Sequence, residues 1–181
     1  MFTFFKGRIQ NILTTSVIAV NDGWGLEIHN PYNLSLMEEV AFYLHTNFSS
    51  ETGMTFFGFF TLEELEFFQL LISVPGLGAK TTIKLLQNIG MKGVANALYH
   101  KDNKLLMKIP GIGNKIANRM VTELWEKIPP HLWEVEESYQ LLSTLMTIGY
   151  EKNAILKILS TIDKKLPFEE QLRQSMVLLQ K

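Results

Sequence analysis

The sequence predicts an α+β multidomain chain: a small β-barrel, then an all-α module, then a three-helix bundle. Three observations predict it. Strand-forming residues crowd the first 60 positions, an eleven-residue pattern from the middle of the chain returns 35 positions later, and paired prolines set off a short amphipathic tail. With 181 residues the chain has room for one ordinary domain or two to three small ones, so pattern decides where length does not.

The barrel comes first. Val17-Ile18-Ala19-Val20, the turn Asn21-Asp22-Gly23 and Trp24-Gly25-Leu26-Glu27-Ile28 read as a β-hairpin, because Asp-Gly between two β-branched runs supplies the positive φ angles a tight hairpin turn needs. Phe4 to Gln10, Val40 to Thr46 and Met54 to Phe59 are further strand candidates. About five short strands suggest a barrel of the OB type over 1–61.

At Thr61 the pattern changes. Thr61-Leu62-Glu63-Glu64 is a capping box, and Leu65, Phe68, Leu71 and Ile72 follow at helical spacing. A helical domain is therefore expected over 62–127. Ile128-Pro129-Pro130-His131 then predicts an extended linker over 128–135, since paired prolines cannot continue a helix. Over 136–181 three amphipathic helices are expected: Glu136 to Ile148 stopped by Gly149, Asn153 to Ser160, and Phe168 to Leu179 entered through Pro167.

Composition narrows the function classes. The chain is 46% hydrophobic and 19% charged, so it can bury a core and is no disordered tail. Having no cysteine, it can form neither disulfides nor thiolate zinc sites, which fits a reducing compartment and makes the cytoplasm the expected location. The apolar start Met1 to Phe5 is broken by Lys6 and Arg8 before a signal core or membrane span could form. His29, His45, His100 and His131 are scattered without ligand-like spacing, so neither a metal nor another cofactor is expected.

Net charge is −1, yet its distribution is uneven. Residues 1–60 carry two cations and five acids, residues 61–130 nine and six, and residues 131–181 six and seven. All nine central cations lie between Lys80 and Lys127, where only Asp102, Glu123 and Glu126 oppose them. That segment is where phosphate could bind.

The central pattern gives the segment a mechanism. Leu70-Leu71-Ile72-Ser73-Val74-Pro75-Gly76-Leu77-Gly78-Ala79-Lys80 returns as Leu105-Leu106-Met107-Lys108-Ile109-Pro110-Gly111-Ile112-Gly113-Asn114-Lys115, and Lys84 falls opposite Arg119. Each copy reads as a helix, a Pro-Gly-apolar-Gly turn and a second helix: a helix-hairpin-helix. Glycine leaves no Cβ in the way of a phosphate, and the unpaired N–H groups of the new helix point at its oxygens. Leu77 and Ile112 should plug the core. Lys80 and Lys115 fall in the first turn of the second helices, with Lys84 and Arg119 one turn on. A lone Pro-Gly-x-Gly is often only a helix C-cap, but a structural turn has no need to repeat its flanking cations. The binding implied is to the backbone and blind to sequence.

In these residues the chain resembles the RuvA family of bacterial Holliday junction binding proteins. The resemblance covers nearly the whole sequence, including Lys6-Gly7-Arg8-Ile9, Gly23 to Ile28, Phe57-Gly58-Phe59, both hairpins and Leu145-Met146-Thr147-Ile148-Gly149-Tyr150. It implies an OB-fold domain, a tandem helix-hairpin-helix domain and a mobile, UBA-like third domain that contacts the RuvB hexameric motor. It also implies a four-fold homotetramer whose flat face holds the arms of a four-way junction open, in recombination, DNA repair and the SOS response. A second tetramer closing an octamer, and the docking of a junction resolvase, stay open. Carried over residue by residue, the phosphate-contacting positions are Gly76, Gly78, Lys80 and Lys84, then Gly111, Gly113, Asn114, Lys115 and Arg119. The family's acidic pin falls at Glu51, a single acid where an adjacent pair is usual, and its motor-contacting positions match Leu145, Ile148 and Tyr150. The linker is shorter than is common in the family, which narrows the reach of the third domain.

Two rival classes fit less well. A DNA glycosylase or lyase would need a catalytic aspartate after the hairpin, and no Asp lies between Gly113 and the end of the linker. A pure interaction protein built on the last bundle leaves the repeated cations without a use. Neither Pro-Gly-x-Gly continues into the Gly-Lys-Ser/Thr of a P-loop, so the chain is expected to be non-catalytic and ATP hydrolysis to belong to a partner.

Overall fold

The computed structural model describes residues 2–50, 53–133, 136–159, 161–163 and 166–179. They fall into two compact units, 1–128 and 129–181.

The first unit opens with β1 (Phe4–Ile12), β2 (Ser16–Asn21), β3 (Trp24–His29), β4 (Glu39–Ser49) and β5 (Gly53–Phe59), closed into a barrel in the order β1-β2-β3-β5-β4. This is a five-stranded OB-type barrel. The predicted hairpin is β2–β3, with Asp22 and Gly23 at φ 46 and 85, the positive pair that matches the twist of flanking strands. β1 serves two neighbours, pairing with β4 through Phe4–Arg8 and with β2 through Arg8–Ile12, and a bulge between Ile9 and Asn11 bends it from one to the other. Ile9, Val17, Ala19, Ile28, Val40, Phe42, Leu44 and Phe56 fill the interior. Gly58 lets β5 close: a Cβ there would come within 2.6 Å of the Ile28 side chain and 2.9 Å of the Phe42 ring.

Helices α1 (Leu62–Ile72), α2 (Ala79–Tyr99), α3 (Asn103–Leu106) and α4 (Asn114–Leu124) complete this unit. The capping box is formed: the Thr61 hydroxyl accepts from the Glu64 N–H at 3.1 Å, and the Glu64 carboxylate accepts from the Thr61 N–H at 3.0 Å. The same carboxylate accepts the Tyr32 hydroxyl proton at 2.7 Å, so the group that starts α1 also docks it on the barrel. Gln87 ties α2 down, donating to the Asn30 carbonyl at 2.9 Å. Gly90, at φ 68, breaks the run of α2 into two helical stretches, a kink the periodicity does not announce.

His29 and His45 flank Phe57 on the seam between barrel and α1, and His45 also meets Phe68 edge-on with ring centroids 5.5 Å apart. Burial lowers the pKa of both below the ordinary 6.5; the Thr15 carbonyl opposes this at His29, while Lys80 adds to it. The buried Nδ1 of His45 has no hydrogen-bond partner among the described residues. Because the folded pKa lies below the unfolded one, the unfolded chain binds more protons as pH falls through 6.5, so stability is full above that pH and lost below it. The urea midpoint of this unit should therefore drop between pH 7.5 and 5.5, and His45→Leu should shrink the drop. A flat midpoint over that window would sink the assignment.

The second unit comprises α5 (Pro130–Trp133), α6 (Glu136–Ile148), α7 (Lys152–Leu159) and α8 (Phe168–Leu179), with the last three packed on one another. Leu132, Leu141, Leu142, Leu145, Ile155, Leu156, Leu159 and Ile162 are buried in it. Gly149, at φ 109, ends α6 as expected: its N–H bonds the Met146 carbonyl and that of Tyr150 the Leu145 carbonyl, satisfying two orphan acceptors. The extended linker expected over 128–135 is instead partly structured. Ile128 is buried, and Pro130–Trp133 is a helical turn, since proline's fixed φ suits the first position of a helix even though it cannot continue one.

Candidate nucleic-acid interface

The two Pro-Gly-apolar-Gly turns fold alike. Gly76 and Gly111 stand at φ 94 and 98, conformations that side chains rarely adopt, and Leu77 and Ile112 plug the core at 3% exposure each. In each turn the plug's N–H bonds the carbonyl three residues back, Val74 or Ile109, at 3.0 Å. The next helix then opens on glycine.

Those helix-opening glycines differ in kind from the turn glycines. Gly78 (φ −78) and Gly113 (φ −87) occupy backbone that any residue adopts, and a Cβ on either would meet nothing within 4 Å. Neither conformation nor internal packing requires glycine there. Both are N-cap positions without a side-chain cap bond, where serine or aspartate would normally satisfy an orphan N–H. What glycine leaves is an open approach to the first donors of α2 and α4 from outside the protein, on the positive end of each helix.

The two copies sit against each other with the symmetry of the repeat. A Cβ at Gly76 would lie 3.7 Å from Ile116, and one at Gly111 would lie 3.3 Å from Thr81; Thr81 and Ile116 are themselves 35 residues apart. Each turn thus rests on the first helical turn of the other copy, and the glycines of both, 76, 78, 111 and 113, are exposed. Lys80, Lys84 and Lys115, in the helices these glycines open, are exposed as well.

Two of the sequence-derived positions also make side-chain contacts within the protein. Arg119 donates to the Pro75 carbonyl at 3.0 Å and lies 3.5 Å from Glu123, so its guanidinium holds the first turn in place from the second copy. The Asn114 side chain accepts from Asn118 at 3.1 Å, leaving its backbone N–H as the group at the helix opening. Thr81 and Ile116, which set the spacing of the turns, are absent from the sequence reading; extending the repeat one residue past Lys80 and Lys115 would have found them. Glu51 lies outside the described residues.

In the second unit, Leu145 is fully buried and packs the bundle, because α6 turns it inward with Leu141 and Leu142. It cannot present itself to a partner. Ile148 is 50% exposed and Tyr150 partly so. Among the described residues no helix is long and apolar enough to cross a membrane, and no group of three His, Asp or Glu side chains could hold a metal ion.

Comparison with known proteins places this geometry. Residues 68–125 match the SAM-like helix-hairpin-helix tandem family model. Over its whole length the chain is similar to proteins named Holliday junction branch migration complex subunit RuvA. It is 32% identical to that of Clostridium perfringens, with 99% of both chains covered, and 33% identical to that of Geobacter sulfurreducens, with all of both covered. The Phytoplasma mali protein is 30% identical, over 100% of this chain and 99% of its own.

Proposed function

We propose, because this chain belongs to the RuvA family of Holliday junction branch migration complex subunits, that it grips the arms of a four-way junction by their sugar-phosphate backbones and recruits a RuvB-type motor. Gly76, Gly78, Lys80 and Lys84 in the first hairpin, with Gly111, Gly113, Lys115 and the Asn114 backbone in the second, serve as the clamp. Arg119 positions the first turn. The carrying observation is the pair Gly78 and Gly113: glycines that the fold does not need, at helix openings that the fold leaves uncapped.

The division of domains follows the chemistry. The hairpin module of 62–127 binds, the barrel of 1–61 supports it and builds a homotetramer, with Glu51 as a carboxylate facing the crossover, and the helices of 136–181 meet the motor through Ile148 and Tyr150. No catalytic step is assigned to this chain; ATP hydrolysis belongs to the motor, and the whole works in the cytoplasm. Binding to a four-way junction and to linear duplex of equal length, run beside a mass measurement of the assembly, tests this reading. Preference for the junction by a four-subunit species supports it, and equal affinity for both DNAs overturns it.

Gly78→Ser with Gly113→Ser isolates the carrying observation. A serine hydroxyl would take the same N–H groups a phosphate oxygen needs, and its cap bond adds a few tenths of a kcal/mol to each helix. The variant should melt no lower than the parent and bind junction DNA at least about tenfold more weakly, a loss of about 1.4 kcal/mol. Unchanged affinity would show that the open N-caps are not the binding groups.

A further inference from the structure

The repeat is symmetric in its clamps and reversed in charge just ahead of them. Residues 61–75, leading into the first turn, carry Glu63, Glu64 and Glu66 and no cation; the equivalent residues 96–110 carry Lys101, Lys104 and Lys108 against Asp102 alone. Glu66 and Gln69 are the counterparts of Lys101 and Lys104, and Ser73 that of Lys108. A helix needed only to hold a turn has no use for such a reversal.

All three lysines are exposed, and among the described residues none makes an ion pair. Asp102, the one acid within 96–110, caps α3 by accepting the Leu105 N–H at 3.0 Å, and Glu123 of α4 pairs with Arg119. A chain of amides fixes α3 along α4: Asn103 donates to Asn118, which donates to Asn114, the first residue after Gly113. At the other end the Lys101 ammonium sits 5.1 Å over the ring of Trp125, which closes the C-terminus of α4. Lys108 lies immediately before the second turn. Lys101 thus stands at the C-terminal end of α4 and Lys108 ahead of the turn that opens it; the helix between is about 16 Å long at 1.5 Å per residue, and a duplex carries one negative charge per roughly 1.7 Å of its axis.

We infer that Lys104 and Lys108, continued by Lys101, form a phosphate track leading away from the second hairpin, so that a duplex arm is held asymmetrically, along α3 and not along the acidic α1. The inference rests on the hairpins being the DNA clamp. It adds to them a backbone contact of the second copy that the first copy lacks, and it fixes the side on which an arm leaves the clamp.

The test is the salt dependence of junction affinity in the full-length protein. Each phosphate contact adds about 0.9 to the slope of log K against log salt. Lys104→Gln with Lys108→Gln should lower that slope by about two or more and weaken binding several-fold at moderate salt. Lys92→Gln with Lys127→Gln, an equal charge change in the second half of α2 and beyond the end of α4, should leave the slope unchanged. If the control pair lowers the slope as much as the track pair, the effect is a general field and the track is refuted. If Lys80→Gln with Lys115→Gln lowers the slope and the track pair does not, the track fails while the clamp stands. If neither pair changes it, the clamp reading falls and the track with it.

Discussion

Lys80→Glu combined with Lys115→Glu should abolish junction binding while leaving the protein folded. Both side chains are exposed in the first turns of α2 and α4, beside the open N-caps Gly78 and Gly113. Charge-assisted hydrogen bonds contribute about 1.5 to 3 kcal/mol each. Losing two per subunit therefore costs some 3 to 6 kcal/mol, or a factor of about 10² to 10⁴ in affinity. Reversal of sign adds repulsion to that loss. The fold should not suffer, because a carboxylate in the first turn of a helix is favoured by the helix dipole and exposed substitutions rarely shift stability by more than about 0.5 kcal/mol. Gel shift with four-way and linear DNA, alongside far-UV circular dichroism, reads both halves of the expectation. Undiminished junction affinity in a folded variant would remove the lysines from the site.

How far the sequence carried this result depends on the kind of signal. The barrel and both hairpins were legible because they rest on local rules: alternating apolar residues, an Asp-Gly turn, a capping box at Thr61, and glycines whose placement recurs after 35 residues. The contact of Arg119 with the first turn and the burial of Leu145 were not legible. Arg119 aligns with Lys84 in sequence, but its long planar side chain reaches across the pseudo-symmetric interface to the Pro75 carbonyl, a partner 44 residues away. Leu145 belongs to a helix whose amphipathic stripe shows that some residues face inward, but which ones face a partner depends on how α7 and α8 cover it. The kink at Gly90 likewise sits inside a helical pattern and is set by φ alone. The helical turn at Pro130 was misread because two prolines signal the end of one helix and suit the start of the next equally well.

Cutting the chain after Ile128 should separate gripping from recruiting. Ile128 is buried and belongs to the first compact unit, so the cut falls at the boundary between units and removes none of the first core. Both turns, every lysine from Lys80 to Lys127 and the barrel remain in the fragment. It should bind a four-way junction with the affinity and salt slope of the intact protein, and it should give the motor no stimulation. A substitution in the full-length chain makes the same point without deletion. Ile148 is half-exposed at the end of α6, so Ile148→Asp spares the core that Leu145 fills and places a charge on the surface assigned to the motor. Motor stimulation should fall at least tenfold in this variant with junction binding intact, because a carboxylate buried in an apolar interface costs more than about 1.4 kcal/mol. If the 1–128 fragment loses junction binding, the grip depends on the helical tail. If it still stimulates the motor, contact with the motor lies in the first unit, and Ile148 and Tyr150 are surface residues of a bundle with some other use.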